Sequence, residues 1–412
     1  MKTIAIALTL LFATTAIGGT KDFKTTNDAF AKASKRDSRP LGNRSVKAPL
    51  TYSEFSIESY DKNFTEPDTN VIKVAILLDT SNSMDGLIDQ AKAQLWELVN
   101  ELSYAKCGND IQPSLQIALY EYGNDRLNAR EGYIRQVSTF TNDLDDISGK
   151  LFGLTTNGGN EYCGKVIQTS LNQLDWGKQA HDLNLIFIAG NEPFNQGPVH
   201  YRDAASNACA KDVTVNTIFC GDYNQGASTH WKDGAKLTQG DYIAINHDKQ
   251  TVHVPSPYDD RILEKNRALN ATYVTYGSRG KAKAAMQIEQ DSNAFEYGQA
   301  NAVKRAVSKS SHFYKNSSWD LVDAVAEDDL ELEEVAVESL PEELQGKSTK
   351  EIEAFVESKR KEREEIQQEI ATLNKKRMEY VSKKQNKEDN ELRNAMIDAI
   401  KKQATKKEYT WE

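Results

Sequence analysis

The chain is poor in the residues that most often announce chemistry. Four cysteines in 412 residues are too few for a disulfide scaffold. None falls in the C-x-x-C pairing of a zinc ribbon. Six histidines, at 181, 200, 230, 247, 253 and 312, are dispersed and form no H-E-x-x-H. Gly-x-Ser-x-Gly and the phosphate-binding glycine motifs are absent. A hydrolase built from serines, Cys163 and His200 finds no supporting spacing. Basic residues are in deficit, 51 against 61 acidic ones for a net charge of -10, which argues against a general nucleic-acid binder. After the N-terminus no stretch approaches eighteen apolar residues, so the mature chain is expected to lack a transmembrane helix.

What is present is enough for a core. Hydrophobic residues make up 39% and charged ones 27%, and at roughly 150 residues per domain the length implies about two to three units. Lys2, the apolar run Ile4 to Ala13, and the small residues Ala16, Gly18 and Gly19 predict a signal peptide over residues 1–19. No cysteine follows for lipid attachment. The expected location is therefore extracytoplasmic, in the periplasm or secreted. Sequons at Asn43, Asn63, Asn270 and Asn316 matter only in a eukaryotic secretory host.

Residues 20–69 read as a flexible leader and first edge segment. From 70 to 248 buried-strand runs alternate with amphipathic helical patterns. Val71 to Leu78, Leu115 to Tyr122, Leu183 to Ala189 and Val213 to Phe219 are the strand runs, with shorter ones at Tyr133 to Val137 and Asp241 to Ile245. This alternation predicts an α/β fold with a doubly wound, mainly parallel sheet. Residues 249–325 turn helical after Pro255 and Pro257, over about 259–270 and 281–309. Residues 326–347 form an acidic linker. Residues 348–412 hold a long helix from about 349 to 383, capped by Ser348 or Thr349, and a shorter one after it. Ile352, Val356, Ile366, Ile370, Leu373 and Tyr380 trace a heptad seam that Lys359, Arg363 and Arg377 interrupt. The two readings of this arm are an antiparallel helical hairpin and a self-associating coiled coil.

The residues richest in meaning are Asp79-Thr80-Ser81-Asn82-Ser83. They stand where the first buried strand ends and a helix begins, the place where open α/β sheets bind ligands. One carboxylate and two hydroxyls on a tight turn suit a hard dication, Mg²⁺ or alternatively Mn²⁺ or Ca²⁺, better than zinc. The same residues also suit a helix cap with no metal.

The pentapeptide D-x-S-x-S, placed after a buried first strand over residues 70–248, resembles the metal-ion-dependent adhesion site (MIDAS) of the von Willebrand factor A family. The resemblance implies a Rossmann-like VWA domain that binds a protein partner, not an enzyme, with Asp79, Ser81 and Ser83 as metal ligands. A partner's Glu or Asp would fill the open coordination position. The sequence departs from the family twice. Where the family places a Thr after two glycines, this chain has Asn160 and Glu161, with Thr156 a third oxygen source. Where the family has Asp-Gly after a later strand, this chain has Ala189-Gly190, followed by Asn191 and Glu192 on the partner-binding rim. The resulting alternatives are a degenerate metal site and a metal-free scaffold that acts through its helical C-terminal arm. Cys163 and Cys220 are expected near the site, and Cys107 and Cys209 at the opposite end. Each is read either as disulfide-bonded or as a thiol.

Overall fold

The computed structural model describes residues 70–108, 111–245, 254–327, 330–332, 335–384 and 391–411, with the side chains of 391–393 left aside. The expected signal peptide, the leader, two sequons (Asn43 and Asn63), His247, His253 and part of the acidic run lie outside the described residues.

Strand β1 (Val71–Asp79) is rich in Val, Ile and Leu, and its alternate side chains feed two cores. Ile72, Val74 and Leu78 enter one, Ala75 and Leu77 the other. Between β1 and β3 (Ser114–Tyr122) come helix α1 (Asp85–Leu102) and the short strand β2 (Ala105–Cys107). Strand β4 (Ile134–Thr141) returns antiparallel to β3. Helices α2 (Leu144–Phe152) and α3 (Cys163–Gln173) precede β5 (Leu183–Gly190). The pattern continues with α4 (Tyr201–Ala210), β6 (Val213–Cys220), α5 (Tyr223–Ser228), α6 (Trp231–Leu237) and β7 (Tyr242–Ile245).

The sheet order is β4-β3-β1-β5-β6-β7, parallel throughout except for β4. This is the doubly wound arrangement the strand pattern predicts. One core lies under α1 and α2, the other under α3, α4 and α6.

The rest of the chain adds α7 (Asp259–Asn270), α8 (Gly280–Glu296), α9 (Gln299–Lys309), α10 (Leu321–Ala326), α11 (Thr349–Ser382), α12 (Glu391–Thr405) and β8 (Tyr409–Trp411). The single stretch expected over about 281–309 is broken at Gly298, whose φ of 109° a side chain would resist.

Helix α11 does not project as an arm. Its capping box is Ser348 with Glu351, and it lies on α7, α9 and α10. Ile366, Ile370 and Leu373 meet Ile262, Leu269 and Val303. Ile352 and Val356 meet Val274, Leu321, Leu340 and Leu344. The basic residues that interrupt the heptads explain the choice. Arg363 reaches Asp320 at 2.7 Å, and Arg377 reaches Asp259 at 2.9 Å, all four nearly buried. These partners belong to the same chain, so the seam is satisfied internally.

Helix α12 packs on α1, β7 and β8 instead of chiefly on α11, and β8 pairs antiparallel with β2. The chain's last segment thus closes the sheet layer begun by α1. The acidic run is likewise not a bare tether, since Leu330, Leu332, Val335, Leu340 and Leu344 pack inward from it.

Candidate metal centre

Asp79 ends β1 and is wholly buried. Its Oδ1 accepts a 2.8 Å hydrogen bond from the Ser81 backbone N–H, which folds the turn back on the strand end. Its Oδ2 is buried with no hydrogen-bond partner. Ser81 Oγ and Ser83 Oγ lie 3.5 Å apart, and Asn191 Nδ2 donates to Ser83 Oγ at 3.1 Å. Asn191 Oδ1 is a second buried oxygen without a partner. Two orphaned acceptors at the ends of neighbouring strands β1 and β5 are costly in a folded core unless a cation or donor joins them.

Two glycines make room beside the Asp79 carboxylate. A Cβ on Gly123, whose φ is +79°, would lie 2.8 Å from Asp79 Oδ1 and 2.9 Å from Glu161 Cγ. One on Gly190 would lie 3.0 Å from Asp79 Oδ2. The surrounding loops are fastened to one another. Thr80 N–H donates to Tyr122 O at 2.8 Å, Asn157 N–H to Thr80 O at 2.9 Å, and Asn124 Nδ2 to Thr155 O at 2.9 Å. Tyr122 OH donates to Ala189 O at 2.9 Å and braces the floor.

The electrostatics are those of acids awaiting a counter-charge. Burial pushes the Asp79 carboxyl from 3.8 up to about 7, outweighing its bonds from Ser81, and the charge of Glu192 adds to the rise. Burial, then the charge of Asp79, pushes Glu161 from 4.5 up to about 7. Glu192 and Asp125, which also act on Glu161, are themselves acidic. The donor set is therefore carboxylate, hydroxyl and amide oxygen, which fits a hard dication. Among the described residues no group of three or more His, Cys, Asp or Glu is arranged to hold a metal. Any ion at this position would rely on the hydroxyls and on water as well as the two acids.

The family pattern described as von Willebrand factor type A domain matches residues 73–232. These residues are a von Willebrand factor type A (VWA) domain. No curated protein matches the chain. Several solved structures are similar to part of the chain at low identity. BatB from Bacteroides thetaiotaomicron is 16% identical over 42% of this chain and 90% of its own, with a TM-score of 0.33. The SpRpn10 VWA domain is 17% identical over 42% and 87%, with a TM-score of 0.31. Proximal thread matrix protein 1 from the mussel byssus, with a zinc-occupied MIDAS motif, is 15% identical over 44% of this chain, with a TM-score of 0.33. The match spans 43% of the mussel protein's length.

On the VWA rim the expected residues separate into two groups. Asp79, Ser81, Ser83, Glu161 and Asn191 gather around the strand end. Thr156 does not join them, because its hydroxyl bonds Asp85 at the start of α1. Asn160 is exposed. Glu192 is partly exposed, held by Gln196 Nε2 at 3.3 Å, while its backbone O accepts from Trp231 Nε1 at 2.8 Å. Ala189 lines the apolar layer with Leu78 and Leu87, away from the polar cluster. None of the four cysteines is in a disulfide. Cys163 lies buried below the VWA site with Sγ 3.8 Å from Tyr122 OH. His200 and His230 both stack on Tyr201, at centroid separations of 4.8 and 5.7 Å.

Sequence reasoning missed Gly123, Asn124 and Asp125. The signal was available, since they directly follow the carboxyl end of another central strand, where the same topological rule applies.

Proposed function

We propose that this VWA domain holds a divalent cation at the end of β1 and uses it to bind an acidic side chain of a protein partner outside the cytoplasm. Asp79, Ser81 and Ser83 hold the ion, and Glu161 supplies the second carboxylate that Ala189 cannot. Asn191 orients the Ser83 hydroxyl. Thr156 and Asn160 are left outside the ligand set. Mg²⁺ is the first choice, with Mn²⁺ and Ca²⁺ compatible with the same oxygens. A bound dication offers an open position that a partner's Glu or Asp carboxylate completes, in a contact strong enough to anchor an interface. The compartment is argued from the apolar run behind Lys2. No helix among the described residues is long and apolar enough to cross a membrane.

The observation that supports this reading most directly is the unpartnered Asp79 Oδ2, set in a buried pair of acids. Isothermal titration of the metal-stripped protein with Mg²⁺ and with Mn²⁺ tests it. Saturable binding is expected, abolished in Asp79→Ala and weakened at least about tenfold in Glu161→Gln. Absence of binding, or binding unchanged in Asp79→Ala, removes the metal from the function.

Ala189 at the family's Asp position motivates a second reading, a metal-free scaffold acting through the C-terminal helices. Against it, the apolar seam of α11 is already buried on α7, α9 and α10. Self-association through that seam would require the helix to leave its own chain.

A further inference from the structure

Helix α8 carries an apolar stripe that faces away from the protein. Gln287, Gln290 and Ala294 turn inward and are buried. On the opposite face Lys281, Ala285, Ile288, Ser292 and Phe295 follow one another at spacings of four and three, and all are exposed. Ile288 is 58% and Phe295 59% exposed, among the most exposed large apolar side chains described. Single exposed apolar residues are ordinary, but two placed seven apart on one helix face make a seam.

The charges on this helix run against its dipole. Arg279, Lys281 and Lys283 crowd its amino end, with no acid in the first turn. Glu296 stands at its carboxyl end with no base in the last turn. A lone helix prefers the reverse. A second α8 laid antiparallel corrects the mismatch, because each basic amino end then meets the acidic carboxyl end of the other. Lys283 is already paired with Asp143, whereas Lys281, Glu289 and Glu296 are exposed.

We infer that α8 is a self-association surface on which two copies of the chain pair through antiparallel α8 helices. Ile288 packs beside its symmetry mate across a two-fold axis. The large Phe295 of each copy covers the small Ala282 and Ala285 of the other. Lys281 of each copy faces Glu296 of the other. One helix of 17 residues presents a contact about 25 Å long. That area lies at the low end of specific interfaces, so the dimer is weak and concentration-dependent.

Sedimentation equilibrium of the full chain between about 1 µM and about 500 µM tests this. A monomer–dimer equilibrium within that range is expected. Ile288→Asp combined with Phe295→Asp changes only exposed positions and should leave a monomer throughout, with an unchanged far-UV spectrum. Lys281→Glu should weaken dimerisation about fivefold, and adding Glu296→Lys should restore it, since the pair is reciprocal. A monomer at every concentration overturns the proposal and leaves the stripe to a different partner. A dimer indifferent to the two aspartates, or a double charge reversal that fails to rescue, overturns it as well. None of these outcomes depends on whether a cation binds at Asp79.

Discussion

Two groups of acids in the interior of the chain are treated in opposite ways. In the helical lobe, Asp291 on α8 and Asp145 on α2 surround Arg305, at 2.6 and 2.7 Å, and Lys309 reaches Asp291 at 3.0 Å. Burial alone would raise Asp291, but Arg305 and Lys309 override it and bring the carboxyl down to about 2. Lys309 is itself lowered to about 8 by burial, against the pull of Asp291. At the end of β1, Asp79 is buried more deeply still, and it sits near 7 beside a second raised acid. Where the lobe only has to stand, the chain supplies its own cations. Where a function is proposed, the positive charge is left to come from outside.

The largest expected effect breaks the compensated side of this contrast. Arg305→Met keeps the bulk over the Trp96 ring, where the guanidinium lies 4.6 Å from the centroid, but takes the guanidinium from Asp145 and leaves Asp291 with Lys309 alone as its cation. Urea unfolding should show a loss of about 3–5 kcal/mol. Asp79→Asn should do the reverse in metal-free protein. It removes a buried charge while keeping an acceptor for the Ser81 N–H, for a gain on the order of 2 kcal/mol at neutral pH. Magnesium at a hundredfold excess over its Kd should stabilise the unmutated protein by about 2.7 kcal/mol and leave Asp79→Asn unmoved. A loss of stability in Asp79→Asn would mean that Asp79 already has its counter-charge within the chain.

The same contrast predicts opposite responses to pH. The folded values of Asp79 and Glu161 lie above their ordinary 3.8 and 4.5, so their contribution is fully present below those values and fades as pH rises through about 7. Asp291 is depressed from 3.8 to about 2, so its contribution is present above 3.8 and fades as pH falls toward 2. Thermal melts of metal-free protein should peak at moderately acid pH and decline on both sides. Magnesium, or the double change Asp79→Asn with Glu161→Gln, should flatten the neutral limb alone. If that limb keeps its slope in the double variant, other groups carry it and the assignment to this pair is wrong.

How legible each region was in the sequence follows from the same physics. The sheet was plain because strands buried on both faces are apolar over nearly their whole length, as Val71 to Leu78 and Leu183 to Ala189 are but for Lys73 and Asn184. Asp79, Ser81 and Ser83 were plain because they fall within one run of five residues. Gly123 and Gly190 were obscure because their role lies in the side chain they lack, which only the packed neighbours define. The course of α11 was obscure for a different reason. Arg363 and Arg377 read as faults in a heptad seam, and their partners Asp320 and Asp259 lie far away along the chain. Periodicity registers the seam but not the distant residue that completes it. The β2–β8 pairing joins segments about three hundred residues apart and has no local signature at all.

The smallest expected effects separate site from scaffold most cleanly. Gly123 and Gly346 hold nearly the same backbone angle, φ of +79° and +80°. An alanine at either pays the same conformational penalty, about 1 kcal/mol. At Gly346, in the turn before α11, the new Cβ meets nothing within 4 Å. At Gly123 it enters the space between Asp79 Oδ1 and Glu161 Cγ. Gly123→Ala should therefore lose more stability than Gly346→Ala, because its Cβ crowds two inward-facing side chains, and it alone should lose its stabilisation by magnesium. If Gly123→Ala still gains the full magnesium shift in a thermal melt, the ion does not sit between Asp79 and Glu161, and a site using Asp79 with the two serines alone becomes the better account.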